Sequence, residues 1–346
     1  MLKPGTIPSL RIPERSIPAP RSISPEAQAV LGRAAEIPFT WPPYPPLDDQ
    51  GGWLNYAAAA NANMKAMLDA QPATANSGLE IQTLNLGQTW CYRGIDHSNA
   101  DAQTGDVLLE IHGGGLIGGG GELCRAMAAR AVASMGATVY SPDYRMPPLH
   151  PYPVPLDDCM AAYRAVLSHS AAERIVVHGS SAGGNLAAAL MLRAAAEGLP
   201  LPAGLILETP QLDLTESGDS FQTNMFIDVV LQRGMGPLNQ LYANGRDLAE
   251  PYLSPLFGDF SRGWPPTLIT AGTRDLFLSN AVRMHHRLRE AGVPVELLVY
   301  EAMPHGGFFG TPEDRALARD MRDFAQRCWS KSRPAVREPQ SHRSTS

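Results

Sequence analysis

Cysteine is scarce in this chain: Cys91, Cys124, Cys159 and Cys328 are the only four among 346 residues. They are scattered and form no C-x-x-C pair, so neither a disulfide framework nor a zinc-ligand spacing is present. Long apolar runs are missing as well. None reaches the roughly 18 residues that a membrane span needs. The first twenty residues hold charges and prolines where a secretory signal would hold an apolar core. Charge is sparse: Asp, Glu, Lys and Arg make up 18% of the chain, the net charge is −6, and like charges never cluster into a block of about five or more. Nothing in that balance attracts nucleic acid. No internal repeat is present. The expectation from these absences is a soluble, cytoplasmic protein that acts on a small molecule without a cofactor or a metal.

What is present is a large apolar fraction, 44% of the residues, enough for an extensive core in one large α/β domain or two ordinary ones. Residues 1–50 carry 11 of the 31 prolines. The run Thr40-Trp-Pro-Pro-Tyr-Pro-Pro46 excludes a regular helix or a central strand, and Trp41 and Tyr44 suggest an extended segment packed on a surface. Trp53, Tyr56, Ala57, Ala60, Met64, Met67 and Leu68 then recur at helical spacing, which predicts a helix lying over the main domain. Residues 1–78 are read as this Pro-rich segment and cap helix.

From residue 79 short β-prone runs alternate with helical ones. The pattern predicts strands at 79–86, 89–93, 107–112, 138–140, 174–178, 205–208, 267–271 and 295–300, and helices at 122–135, 156–168, 184–197, 279–291 and 313–330. Two strands followed by repeating βα units imply a mostly parallel sheet of eight strands with helices on both faces. Residues 216–252 are too long for an ordinary loop. They contain Met225, Phe226, Ile227, Val229, Val230, Leu231, Leu238, Leu241 and Tyr242, and are read as a second helical cap segment. Residues 331–346 are polar and are expected to be a disordered tail.

The chemistry concentrates in Gly179-Ser180-Ser181-Ala182-Gly183-Gly184. A strand precedes it and a helix follows, the setting of a nucleophile elbow. Small residues on either side of Ser181 let the chain fold back sharply, and the helix N-terminus behind it favours negative charge. A second glycine run, His112-Gly113-Gly114-Gly115 through Gly121, also joins a strand to a helix. Alone it satisfies G-x-G-x-x-G, with Asp143 after the next strand as the acid of a dinucleotide site. That reading fails on position, since two strands come first, and it leaves Ser181 unexplained. An acyl-transfer reading uses both motifs: the oxyanion made by serine attack needs preorganised N–H donors, supplied by Ala182 and by an upstream glycine loop, with Gly114 and Gly115 the main candidates beside Gly113.

Taken together, His112-Gly-Gly-Gly115, the Gly-x-Ser-Ala-Gly-Gly elbow, Asp143-Tyr-Arg145, His150-Pro-Tyr-Pro153 and Leu156-Asp-Asp158 resemble the bacterial hormone-sensitive-lipase-like carboxylesterases, family IV of the α/β-hydrolases. The resemblance covers about residues 50–330. It implies the α/β-hydrolase fold with a helical cap, and a serine carboxylesterase acting on short- to medium-chain apolar esters. Two positions depart from the pattern: Ser180 stands where that family usually has an acid, and Pro147-Pro-Leu-His150 replaces A-P-E-H.

A serine nucleophile needs a base and an orienting acid, and in this fold the chain order is Ser, Asp or Glu, His. Of the later histidines, His285 and His286 suit a solvated helix face and His342 lies in the tail. His305, in Met303-Pro-His-Gly-Gly-Phe-Phe309, follows a strand and matches the family's H-G-F motif. Asp275 ends the preceding strand and is the candidate acid. Asp143, Asp157, Asp158 and Asp213 suit turns and helix starts, and His112 and His178 suit buried structural roles. The blocks around Asp275 and His305 also look like those of lactone hydrolases, so an ε-lactone is the alternative substrate. A ligand-binding relative without activity is the remaining reading, and the presence of His305 opposes it. The resemblance also allows a homodimer joined through the edge strand at 295–300.

Overall fold

The computed structural model describes residues 10–36, 43–71, 78–99 and 105–331. Trp41, His342 and nearly all of the expected tail lie outside the described residues. Eight strands form one sheet: β1 (Leu79–Asn85), β2 (Trp90–Asp96), β3 (Val107–Ile111), β4 (Thr138–Asp143), β5 (Ile175–Ser180), β6 (Gly204–Glu208), β7 (Thr267–Gly272) and β8 (Val295–Tyr300). Their order is β1-β2-β4-β3-β5-β6-β7-β8. The pairs β1/β2 and β2/β4 are antiparallel, and all later pairs are parallel. Strand β5 sits in the middle and β8 is an edge.

The helices that pack on this sheet are α3 (Glu122–Met135), α4 (Val154–Leu167), α5 (Ala182–Ala196), α8 (Leu278–Glu290) and α9 (Pro312–Ser330). Side chains of a strand alternate between faces, and the core divides accordingly. Leu109, Val177, Leu207 and Ile269 face α4, α5 and α8 through Leu156, Leu186 and Met284. Leu108, Val176, Ile206 and Leu268 face α3 and α9 through Val132, Phe324 and Trp329. Strands buried on both sides read as continuous apolar runs, which is why they were visible in the sequence. Strand β4 runs three residues beyond its predicted end because Pro142 needs no donor there: it pairs with Cys91 of β2, past the last β3 partner at Tyr140.

Two regions depart from the sequence expectation. Helix α1 (Pro25–Glu36) lies within the Pro-rich segment. Ser24 starts it: its Oγ accepts from Ala27 N–H at 3.1 Å, and Pro25 takes the first helical position. Ala27 and Leu31 on its apolar side, with Ile23 just before it, pack on Ala302, Met303, Phe308 and Leu317. Helix α2 (Gln50–Asp69) forms where the apolar periodicity predicts a helix, and Trp53 on it is fully buried.

The segment 216–252 holds only two short helices, α6 (Ser220–Thr223) and α7 (Gly236–Ala243). Side chains organise the remainder. Glu216 accepts from Met235 N–H at 2.6 Å and from Asn239 Nδ2 at 3.0 Å, and Asp228 accepts from Val230 and Leu231 N–H. Such bonds compete with helix for the same backbone donors. Met235 and Leu238 of this segment join Trp53, Ile117, Phe221, Leu276 and Phe277 in one apolar cluster above the C-terminal ends of the strands. Among the described residues, no helix is long and apolar enough to cross a membrane.

Candidate active site

Ser181 occupies the sharp turn between β5 and α5. Its φ is 56° and its ψ −119°, a strained conformation that costs of order 1–3 kcal/mol and persists only where the surroundings enforce it. They do so through the main chain. Ser181 N–H donates to Glu208 O at 2.8 Å, and Ser181 O accepts from Gly184 and Gln211 N–H. The turn also packs directly on the end of β3: a Cβ at Gly183 would collide with the carbonyl of Ile111, and one at Gly179 with that of Gly183. Glycine is required at both.

His305 and Asp275 complete a chain of hydrogen bonds. His305 Nε2 lies 2.8 Å from Ser181 Oγ, and His305 Nδ1 lies 3.0 Å from Asp275 Oδ1. With Nδ1–H donated to the carboxylate, Nε2 is left as the acceptor facing the serine hydroxyl. Asp275 is fully buried; its Oδ1 also accepts from Phe277 N–H at 2.9 Å. His305 is nearly buried, and the Phe277 ring meets it edge-on at 4.8 Å. Burial alone would push the imidazole pKa down, but the charges of Asp275, Asp228 and Glu208 outweigh it and hold the value above that of a free histidine.

The glycine loop arches beside the serine. Gly113 stands so close that a Cβ there would lie 3.0 Å from Ser180 O and 3.2 Å from Ser181 Cβ. Gly114 and Gly115 have φ of 127° and 63°. Among the described residues, no acceptor takes the N–H of Gly114, Gly115 or Ala182. The loop is held from above by α2, where Asn61 Oδ1 accepts from Gly119 N–H at 2.8 Å. It is held from below by His112, which stacks on Tyr144 at 4.1 Å and whose Nδ1 lies 2.7 Å from Gly113 O. Burial lowers the His112 pKa to about 4, so this ring is neutral. His112, Cys124 and Asp143 bring potential ligand atoms within 4.8 Å of one another. Burial holds the Cys124 thiol protonated, and Asp143 Oδ1 is engaged by Gly121 N–H at 2.8 Å. The trio supports the loop by packing and hydrogen bonds.

The competing acids have other partners. Asp158 pairs with Arg145 through two bonds of 2.8 and 3.0 Å, Asp157 with Arg193, and Asp213 with Arg283 at 2.6 Å. His285 and His286 lie on α8, half-buried and exposed respectively. His178 sits 3.2 Å from Glu208. Ser180 is registered opposite Glu208 on the neighbouring strand. Burial would raise the Glu208 pKa, but His178 and Ser180 more than compensate and keep it low. One residue escaped the sequence reading: Asp228 of the 216–252 segment, buried and accepting from the main chain of Leu276 and His305. The visible signal was an acid inside the apolar run Phe226-Ile227-Asp228-Val229-Val230.

Residues 108–309 match a family model described as alpha/beta hydrolase fold. An esterase of Acinetobacter venetianus is 31% identical over 232 residues, spanning 65% of this chain and 76% of the relative. Among solved structures, esterase E25 superposes with a TM-score of 0.80 at 29% identity, covering 92% of this chain and 98% of that one. An esterase from the bacterial hormone-sensitive lipase family gives 0.76 at 29% identity, covering 88% and 99%. With a parallel sheet, an elbow serine at its centre and a glycine loop beside it, the chain belongs to the α/β-hydrolase family, among the hormone-sensitive-lipase-like carboxylesterases.

Proposed function

We propose that the ester is cleaved through an acyl-enzyme on Ser181, with His305 as base, Asp275 as its orienting acid and the N–H groups of Gly113, Gly114, Gly115 and Ala182 as the oxyanion site. His305 Nε2 takes the hydroxyl proton as Ser181 Oγ attacks the acyl carbon. The C=O becomes a tetrahedral oxyanion, and each well-placed N–H donor there lowers the barrier by about 3 kcal/mol. Collapse expels the alcohol, which leaves with the proton now on Nε2. Water repeats the sequence, giving its proton to His305 and releasing the acid. Asp275 orients the imidazole and stabilises the imidazolium that forms.

The observation that carries this reading is the continuous chain of 2.8 and 3.0 Å contacts ending on a strained serine. The apolar cluster that brings Met235 and Leu238 over Gly115, and Phe277 against His305, favours short- to medium-chain apolar acyl groups. The test is Ser181→Ala assayed on p-nitrophenyl esters of graded chain length. Turnover should fall by about 10⁴-fold or more, and the wild-type profile should peak at short to medium chains. Retained turnover would contradict the role of Ser181. An ε-lactone reaches the same acyl-enzyme with its alcohol still attached, so ranking lactones against linear esters in the same panel sets the preference.

A further inference from the structure

Asp228 lies between α6 and α7 and is fully buried. Burying a carboxylate forfeits several kcal/mol of hydration, so the groups that receive it reveal its purpose. Its Oδ1 accepts from Val230 N–H at 2.8 Å and Leu231 N–H at 3.1 Å, and its Oδ2 from Leu276 N–H at 2.8 Å. His305 N–H lies 3.3 Å from each oxygen. Leu276 follows Asp275 directly, so one cap carboxylate grips the backbone of both the acid loop and the base loop. It does so across 48 and 77 residues of sequence. Asn224, four residues earlier, adds to the grip: its Nδ2 donates to Asp275 O at 2.8 Å and to Thr273 O at 3.2 Å.

We propose that Asp228 is a positioning residue for His305 and Asp275: its carboxylate fixes the main chain of both loops and sets a second negative charge behind the imidazole. The proposal rests on the reading of Ser181, His305 and Asp275 as the triad. Three carboxylates face His305: Asp275 from the loop after β7, Asp228 from the cap segment, and Glu208 from the end of β6, which it shares with His178. Burial, then the charge of Asp275, raise the Asp228 pKa to about 6, with His305 opposing. Above that pH Asp228 is an anion whose field favours the imidazolium formed as Ser181 attacks. The cap therefore does more than cover the pocket: it holds the acid–base pair.

The experiment compares Asp228→Asn, Asn224→Ala and Ser181→Ala with the wild type, on p-nitrophenyl butyrate across pH. Asp228→Asn removes the charge and part of the grip at nearly constant volume. Its kcat should fall about 10- to 100-fold, the scale expected when a catalytic group is displaced by about 1 Å, with KM within about twofold. The acid limb of its kcat/KM profile should move to lower pH, because His305 loses a negative neighbour. Asn224→Ala loosens the acid loop and removes no charge, so its kcat should fall while its acid limb stays in place. Circular dichroism and melting curves establish that each variant is folded. An unchanged Asp228→Asn profile, or a kcat loss without movement of the acid limb, overturns the proposal. Should Asp228→Asn fail to fold, an acid limb that moves in Asn224→Ala would overturn it. Retained activity in Ser181→Ala would instead overturn the underlying triad reading.

Discussion

The two halves of the site are built differently. On one side, Ser181 and the glycine loop are fixed by main-chain packing between adjacent strands. Ile111 is registered on Gly179, Ser180 on Glu208, and no room is left at Gly183 for a side chain. On the other side, Asp275 and His305 stand on loops at the far end of the sheet, next to the edge strand. Those loops are held by side chains from elsewhere. Asn224 and Asp228 grip them from the cap, and Ser220 Oγ accepts from Ser279 N–H at 2.9 Å and donates to Leu276 O at 2.7 Å. Asp314 of α9 accepts from Phe308 N–H at 2.8 Å, and α1 packs its apolar face on Met303 and Phe308. Local steric fit places Ser181, and long-range hydrogen bonding places His305 and Asp275.

The largest effect should come from breaking the local half. Gly183→Ala drives a methyl into the Ile111 carbonyl. We expect loss of nearly all esterase activity and a destabilisation of about 3 kcal/mol or more, since strain at such a turn has no route of relief. Urea unfolding with parallel activity assays checks both. A variant that stays active would show that the elbow tolerates more freedom than its packing implies.

Asp275→Asn breaks the other half at its centre. With the imidazole no longer oriented or stabilised, kcat/KM should fall by about 10³- to 10⁴-fold, measured at saturating and limiting ester concentrations. The pH profile sharpens the same point. In the wild type the acid limb should lie above the pH at which a free imidazole titrates, because three carboxylates face His305. The sign reverses for stability. The protonated ring contributes to stability below the ordinary value, and that contribution fades as pH rises through the raised one. Activity and this part of stability therefore run in opposite directions with pH.

The smallest effect should come from the outermost support. Ser24→Ala removes the Oγ that starts α1 and its 2.8 Å bond to the Glu313 carboxylate, while the 2.6 Å bond from the main-chain N–H of residue 24 is kept. We expect a loss of about 1 kcal/mol in thermal stability, with kcat changed by less than about twofold. A large fall in kcat would mean that α1 governs the His305 loop directly.

The same division decides what could be read from the chain. The eight strands, the elbow and the glycine loop were legible because each is a short contiguous pattern with a steric cause. Chain order and strand ends pointed to Asp275 and His305, the side chains that lie in hydrogen-bond contact with each other and with Ser181. Helix α1 was obscured by the surrounding prolines, although Ser24-Pro25-Glu26 is itself a helix start. The grip of Asp228 and Asn224 was not legible, because a bond between residues 48 or 77 positions apart leaves no local pattern. Ser180 looked anomalous by sequence, and only the register of β5 against β6 brings Glu208 beside it.

The most direct measurement is covalent labelling by an organophosphonate, followed by peptide mass mapping. The wild type should carry one adduct, on Ser181, formed in step with the loss of esterase activity, and His305→Ala should label far more slowly. An adduct on another residue, or full turnover with Ser181 unmodified after treatment, would contradict the assignment of Ser181 as the nucleophile.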